Sequence, residues 1–247
     1  MASSQSYEFD AFISYRRRDA TLLAKWVRLR LRNFRLSKEI LESLGKHKQE
    51  LYARKPRIWL DTAYEKPSDD FLIKKVYPTL DRSARLIVVS TPSVFLPIRT
   101  EGGAEEPNWL VREIDRFIGA SGNPRPIDLV LGPGGAEDKF PGRLAERPRW
   151  DWIELRRFSW WRSWGFSEDL DAGLAKLVAG LYEIPDSALA DLRREERRRR
   201  NHFLVGFGLV AVLIAIVIAG IAAFAWQQRN EALAEAERTR RQYYVGA

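Results

Sequence analysis

The sequence predicts an α/β domain, a parallel sheet covered by helices, followed by a single membrane-crossing helix. Two observations carry this expectation. Before Ile184, short apolar runs rich in β-formers alternate with longer helix-like stretches, which is the pattern of strand–helix units around a parallel sheet. Beyond it, Phe203 to Trp226 is a run of 24 residues without a charge. At a helical rise of 1.5 Å per residue it reaches about 36 Å, enough to cross a hydrocarbon core of about 30 Å.

The expected strands are Phe9–Tyr15, Arg57–Asp61, Arg85–Ser90, Ile127–Leu131 and Trp152–Leu155. Helices are expected from Ala20 to about Leu36, over Asp69–Leu80 and Asn108–Ala120 after the first three strands, and over Ser167–Tyr182 after the last. Ser37–Lys55 reads as a charged, helix-prone insertion, and Gly132–Arg149 as a Gly/Pro-rich loop. Pro185 and Asp186 open a polar, Arg-rich helix, so a domain is expected over 1–184, a basic juxtamembrane helix over 185–202, the span over 203–226 and a polar helical stub over 227–247.

Composition narrows the chemistry. With 247 residues, 45% hydrophobic and nine Trp, the chain suits one folded domain with appendages, and a charged share of 30% argues against several spans. There is no cysteine, which excludes disulfides, thiolate metal sites and a cysteine nucleophile. The only histidines are His47 and His202, too few for a Ser-His-Asp triad with a positioned base or a multi-histidine zinc site. Catalysis, if any, rests on Asp, Glu, Lys, Arg or Tyr, and no metal ligand set is expected.

The net charge of +8 is uneven, since ten Arg and six acids lie from Asp191 onward. Six arginines (193, 194, 197–200) precede the apolar run and four (229, 238, 240, 241) follow it. This excess is expected to flank a bilayer and not to bind nucleic acid, and it favours a cytoplasmic N-terminal domain. The lack of an apolar leader at the start favours the same orientation. Ala211, Ala215, Ala219 and Ala223 recur every four residues, a small-residue stripe of the kind along which membrane helices approach closely, so self-association is expected.

Three stretches, taken in order, resemble the Toll/interleukin-1 receptor (TIR) family, and a bacterial, membrane-anchored member in particular. The first is Phe9-Asp10-Ala11-Phe12-Ile13-Ser14-Tyr15-Arg16-Arg17, with Asp19 just beyond. The second is Ile58-Trp59-Leu60-Asp61 and the loop to Phe71. The third is Arg85-Leu86-Ile87-Val88-Val89-Ser90, followed after a loop by Trp109-Leu110-Val111-Arg112-Glu113-Ile114. The resemblance covers about Tyr7 to Leu181. It implies a flavodoxin-like sheet of five parallel strands in the order 2-1-3-4-5, with a ligand crevice at the carboxyl ends of the first and second strands, where Ser14 to Arg17 and Asp61 to Phe71 fall.

TIR domains divide into scaffolds that assemble with other TIR domains and enzymes that cleave NAD at the nicotinamide–ribose bond. The enzymes carry a glutamate four residues after a tryptophan, matched here by Trp109 and Glu113, which i, i+4 spacing puts on one helix face. Nicotinamide in NAD is already a cationic leaving group, so one carboxylate suffices where ordinary glycoside hydrolysis uses two. The resemblance implies Glu113 as the catalytic group, and Arg16, Arg17, Trp109, Phe71 and Ser14 as substrate contacts. Arginine forks suit the pyrophosphate and an aromatic face suits stacking. NAD is then substrate, with no further cofactor, and other TIR domains and the bilayer are the expected partners.

Each residue also has a plainer reading: Glu113 as a partly exposed helix glutamate beside Arg112 or Arg116, Arg16 and Arg17 as solvated loop charges, Trp109 as core packing. In the loop after Asp61 the family usually has Pro-Gly, and this chain reads Pro67-Ser68. The alternative function is a non-catalytic TIR scaffold acting through that loop. A response-regulator receiver shares the sheet but needs a phosphoacceptor Asp at the end of its third strand, where Ser90 stands.

Overall fold

The computed structural model describes residues 7–34, 36, 38–43, 49, 54–60, 69–99, 105–106, 108–119, 125–146, 151–164, 167–185 and 189–245. Two compact units divide the chain, Met1–Glu196 and Arg197–Ala247.

In the first unit, β1 (Ala11–Tyr15), β2 (Ile58–Leu60), β3 (Leu86–Ser90), β6 (Ile127–Leu131) and β7 (Trp152–Glu154) form one parallel sheet in the order β2-β1-β3-β6-β7. The register pairs Ser14 with Val88 and Ser90 with Leu131. Counting only these strands, the order is 2-1-3-4-5, as the resemblance implies. Two further short strands, β4 (Ile98–Arg99) and β5 (Glu105–Glu106), pair antiparallel with each other outside the sheet. The sequence reading does not anticipate them, because two-residue strands leave no periodic pattern.

Alternation along the strands assigns the two layers. Ala11, Ile13, Ile87, Val89, Val130 and Ile153 face α1 (Thr21–Asn33) and the helix Glu168–Tyr182, sharing a core with Leu23, Val27, Leu31, Leu174, Leu177 and Val178. Phe12, Leu86, Val88 and Leu129 face the other way, onto Leu72, Val76, Leu80, Leu110, Ile114 and Phe117. Burial on both faces is why β3 reads as an unbroken apolar run. Within α1, Leu23, Ala24, Val27 and Leu31 form the apolar stripe that faces the sheet.

The expected helix over Asp69–Leu80 is interrupted. An α-turn at Asp69–Phe71 passes into a π-helical stretch, Leu72–Val76, and then an α-helix, Tyr77–Asp81. Pro78 explains this, since it has no N–H for the Lys74 carbonyl and its ring crowds that carbonyl. Widening the turn relieves the crowding, and the Tyr77 N–H reaches back five residues to Leu72 O.

At the amino edge of the sheet, Arg85 Nη1 donates to both Asp128 carboxylate oxygens, at 2.8 and 2.9 Å. Burial pushes the Asp128 carboxyl above its usual range, with Arg85 opposing. Gly180 leaves the room, as a Cβ there would stand 3.2 Å from both partners.

The helix Glu168–Tyr182 ends where Glu183 turns left-handed at φ 48°, and Ile184 N–H returns to Ala179 O at 2.8 Å. That is a Schellman-type stop, with Ile184 buried behind it. A short helix, Trp160–Trp164, occupies the Trp-rich stretch.

A final helix runs from Leu189 to Val245. Its first turn belongs to the first unit, whose core takes in Leu192 with no exposure at all. In the second unit, Val205–Glu231 is long and apolar enough to cross a membrane, and side chains such as Leu213, Ile214, Ile218 and Phe224 stand exposed. A continuous apolar surface of this kind marks an interaction with another apolar phase.

Candidate active site at the carboxyl end of the sheet

In a 2-1-3-4-5 sheet the first connection runs one way and the next the other, so the topological switch point, where such sheets place a ligand, lies between β1 and β3. This differs from the expected position at the ends of the first and second strands. Strand order, not chain order, decides the place, and Asp61 to Ser68 lie outside the described residues.

Ser14 stands one residue before the end of β1, on the face of Phe12, and is 1% exposed. Opposite it runs the helix Trp109–Gly119, whose buried residues are Leu110, Glu113, Ile114 and Phe117. That spacing is the i, i+3, i+4, i+7 stripe of a core-facing helix, with a glutamate at a position the pattern gives to an apolar side chain. Glu113 is 9% exposed, and Ser14 Oγ donates to its Oε2. The expectation of a partly exposed Glu113 is therefore corrected. The i, i+3, i+4 relation to Leu110 and Ile114 turns it inward. Taking a carboxylate out of water costs several kcal/mol unless it is bonded, and the Ser14 hydroxyl is one of the groups that compensates it. Arg116, one of its suggested partners, is engaged with Asp81 at 2.7 Å.

Asn108 fixes the start of this helix. Its Oδ1 accepts from Val111 N at 3.2 Å, an N-cap, while its Nδ2 donates to the carbonyl of Val94 and, at 3.4 Å, to that of Leu96. The side chain is 3% exposed, so cap and loop form one buried joint.

Arg16 Nη2 reaches Leu96 O at 3.5 Å, and its Nε is buried without a hydrogen-bond partner among the described residues. Burial lowers its pKa, Asp19 opposing and Arg18 assisting. Arg17 is exposed, and its carbonyl accepts from Thr21 Oγ1 at 2.7 Å at the head of α1. Trp109 is half-buried against the Phe12 core with the Arg112 guanidinium 5.2 Å from its ring centroid. Phe71 packs on the same core with Lys75 Nζ 5.6 Å from its ring. Ser14 and Glu113 are thus brought into direct contact, and Trp109 and Phe71 onto one core. Arg16 is joined to the loop after β3.

Asp19, Ser90 and Asn108 complete the corner, and the sequence reading gave none of them a binding role. Asp19 accepts from Thr91 Oγ1 at 2.7 Å, Ser93 Oγ at 2.5 Å and Ser93 N at 3.0 Å, clamping the turn after β1 to the 3₁₀ turn Pro92–Phe95. Ser90 Oγ is buried, without a hydrogen-bond partner among the described residues, on the sheet face that carries Ser14. Gly132 and Gly135 pass close to the Ser90 main chain, since a Cβ on Gly135 would stand 2.7 Å from the Ser90 carbonyl oxygen. Asn directly before an apolar-periodic helix was the available signal for Asn108.

Asp10, at the other end of β1, is held by Arg54 at 2.6 and 2.8 Å and by Arg57 N at 2.6 Å, a structural use of that carboxylate.

The pKa of Asp19 is lowered even though burial alone would raise it, because the Ser93 and Thr91 hydrogen bonds favour the anion. A carboxyl lowered in the folded state adds stability above its usual value of 3.8, and loses it as pH falls through the folded value. Asp19→Ala should therefore cost about 1–2 kcal/mol at neutral pH, discounted for its exposure, and much less in strong acid. Thermal unfolding of both proteins at pH 7 and pH 3 checks this. A difference that stays the same at both pH values would remove Asp19 from the clamp.

No protein-family model matches the chain, and no curated protein matches it either. Among the described residues no cluster of His, Asp and Glu could hold a metal ion.

Proposed function

We propose that the chain is a membrane-anchored TIR-domain protein that cleaves NAD at the nicotinamide–ribose bond when its domains assemble. The observation that carries the reading is Glu113, a carboxylate in the apolar stripe of its helix, at the carboxyl end of the sheet and bonded to Ser14. An acidic side chain at a stripe position that the helix pattern gives to an apolar one suits a group retained for chemistry. Glu113 would hold the ribose hydroxyls and stabilise the oxocarbenium-like charge as nicotinamide leaves. Ser14 fixes one carboxylate oxygen. Arg16, with Nε unpartnered, and Arg17 would meet the pyrophosphate, Trp109 and Phe71 would offer apolar faces, and the Ser90 hydroxyl is a further polar group in the same corner.

The helix Val205–Glu231 would hold the protein in the bilayer, with the α/β unit cytoplasmic. Its alanine stripe would bring copies together. Incubating the solubilised, clustered chain with NAD and following nicotinamide tests the reading. Folded, associated protein that never releases nicotinamide would contradict it.

Replacing Arg16 and Arg17 with Ala should raise KM for NAD about tenfold or more while lowering kcat less, because pyrophosphate binding is nearly the same in ground and transition states. An unchanged KM would return both to solvated loop charges.

The burial of Glu113 also favours a second reading, a non-catalytic TIR scaffold in which the Ser14–Glu113 pair is structural. A scaffold would keep partner binding in Glu113→Gln and show no NAD turnover in the parent protein.

A further inference from the structure

On the other face of the sheet from Glu113, the outer side of α1 and the end of β2 line an open groove of about 440 Å³. Lys25, Arg28 and Arg32 line it at i, i+3 and i+7 along one helix face, with Leu29, Asn33 and Leu60 completing the wall. A run of cations on a helix is ordinarily a solvated face, and three features set this one apart.

Among the described residues no acid lines the groove, and Lys25 and Arg32 form no ion pair. Elsewhere in the α/β unit arginines are paired with acids, as Arg54 with Asp10, Arg82 with Glu8, Arg85 with Asp128, Arg116 with Asp81 and Arg157 with Asp169. Arg28 is anchored, its Nε donating to Ile58 O at 3.2 Å, which spends one donor and leaves the terminal guanidinium nitrogens for another acceptor. Burial and then the charge of Arg32 lower the Arg28 pKa, as expected for a guanidinium partly withdrawn from water beside a second cation.

We propose that this groove binds a phosphorylated small molecule or headgroup carrying at least two negative charges, at a site separate from that of Glu113. A pre-oriented guanidinium with two flexible cations beside it suits phosphate oxygens, and Leu29 and Leu60 give an apolar wall for the rest of the ligand.

The test uses the full chain in detergent, titrated by calorimetry with inorganic pyrophosphate, and in parallel the chain with vesicles containing or lacking a phosphorylated inositol lipid. Wild type should bind one of these probes saturably and more weakly as salt rises. Because Arg16 and Arg17 are themselves proposed to meet a pyrophosphate, the titration is made in the Arg16→Gln/Arg17→Gln background, where the remaining binding should fall at least tenfold on adding Arg28→Gln/Arg32→Gln, whether or not the chain cleaves NAD. Binding of pyrophosphate makes a soluble phosphate ester the ligand class, and binding of the inositol vesicles alone makes it a lipid headgroup. No saturable binding of either probe, equal binding by the Arg28/Arg32 variant, or binding of an acidic peptide in their place would overturn the proposal.

Discussion

Glu113→Gln should reduce nicotinamide release from NAD by a factor of at least about 10² to 10³, the scale seen when one preorganised transition-state group is removed. Stability should hardly move. Glutamine is nearly isosteric, and its carbonyl oxygen can still accept from Ser14 Oγ, so the contact seen with Glu113 Oε2 has a replacement. Glu113→Leu is the sharper companion. It places an apolar side chain in the stripe of Leu110, Ile114 and Phe117, and should match or raise the melting temperature of wild type while abolishing cleavage. Thermal unfolding and a nicotinamide assay on the same preparations read both effects. If Glu113→Leu unfolds the protein, the carboxylate is part of the fold's support and the reading of a residue held for chemistry fails.

The largest stability effect is expected at Arg125, away from the site. Its Nη1 donates to the carbonyls of Leu80, Asp81 and Ser83 at 3.2, 3.1 and 2.8 Å, and its Nη2 to Phe117 O at 3.3 Å. The guanidinium also lies 3.8 Å from the Phe117 ring centroid. One side chain thereby ties the carboxyl ends of the helices Tyr77–Asp81 and Trp109–Gly119 together, adding donors to carbonyls at and just beyond the helix ends. Burial lowers its pKa, so the donors are partly out of water. Arg125→Ala should cost about 3 kcal/mol, and Arg125→Lys somewhat less, because an ammonium cannot span four carbonyls with a planar fork. For a unit of this size that is a fall of about 6–12 °C in Tm, read by thermal denaturation. A loss under about 1 kcal/mol would mean water serves these carbonyls as well as Arg125 does.

Much of the fold was legible because its elements have strong periods. The apolar runs at Ala11–Ser14, Leu86–Ser90 and Ile127–Leu131 are short, bounded and β-rich, and each is a strand. The amphipathic stretch from Trp109 and the one ending at Tyr182 are helices within one residue of expectation. The break at Leu72–Val76 was less legible, since Pro78 in an otherwise helical pattern signals a disturbance without saying whether the chain kinks, stops or widens.

At the site, the i, i+4 spacing of Trp109 and Glu113 could be read from the sequence, but the burial of Glu113 could not without weighing Leu110 and Ile114 beside it. The contact with Ser14 joins positions 99 residues apart and has no local signature. The clamp of Asp19 on Thr91 and Ser93, and the orphaned hydroxyl of Ser90, are likewise products of β1 and β3 being neighbours.

The most direct measurement is a time course of nicotinamide formation from NAD by the full chain in a bilayer, folded and self-associated, with Glu113→Gln beside it. The account predicts steady nicotinamide release by wild type and none above background from the variant. Release that persists in Glu113→Gln, or its absence from wild type at every degree of clustering, would contradict it.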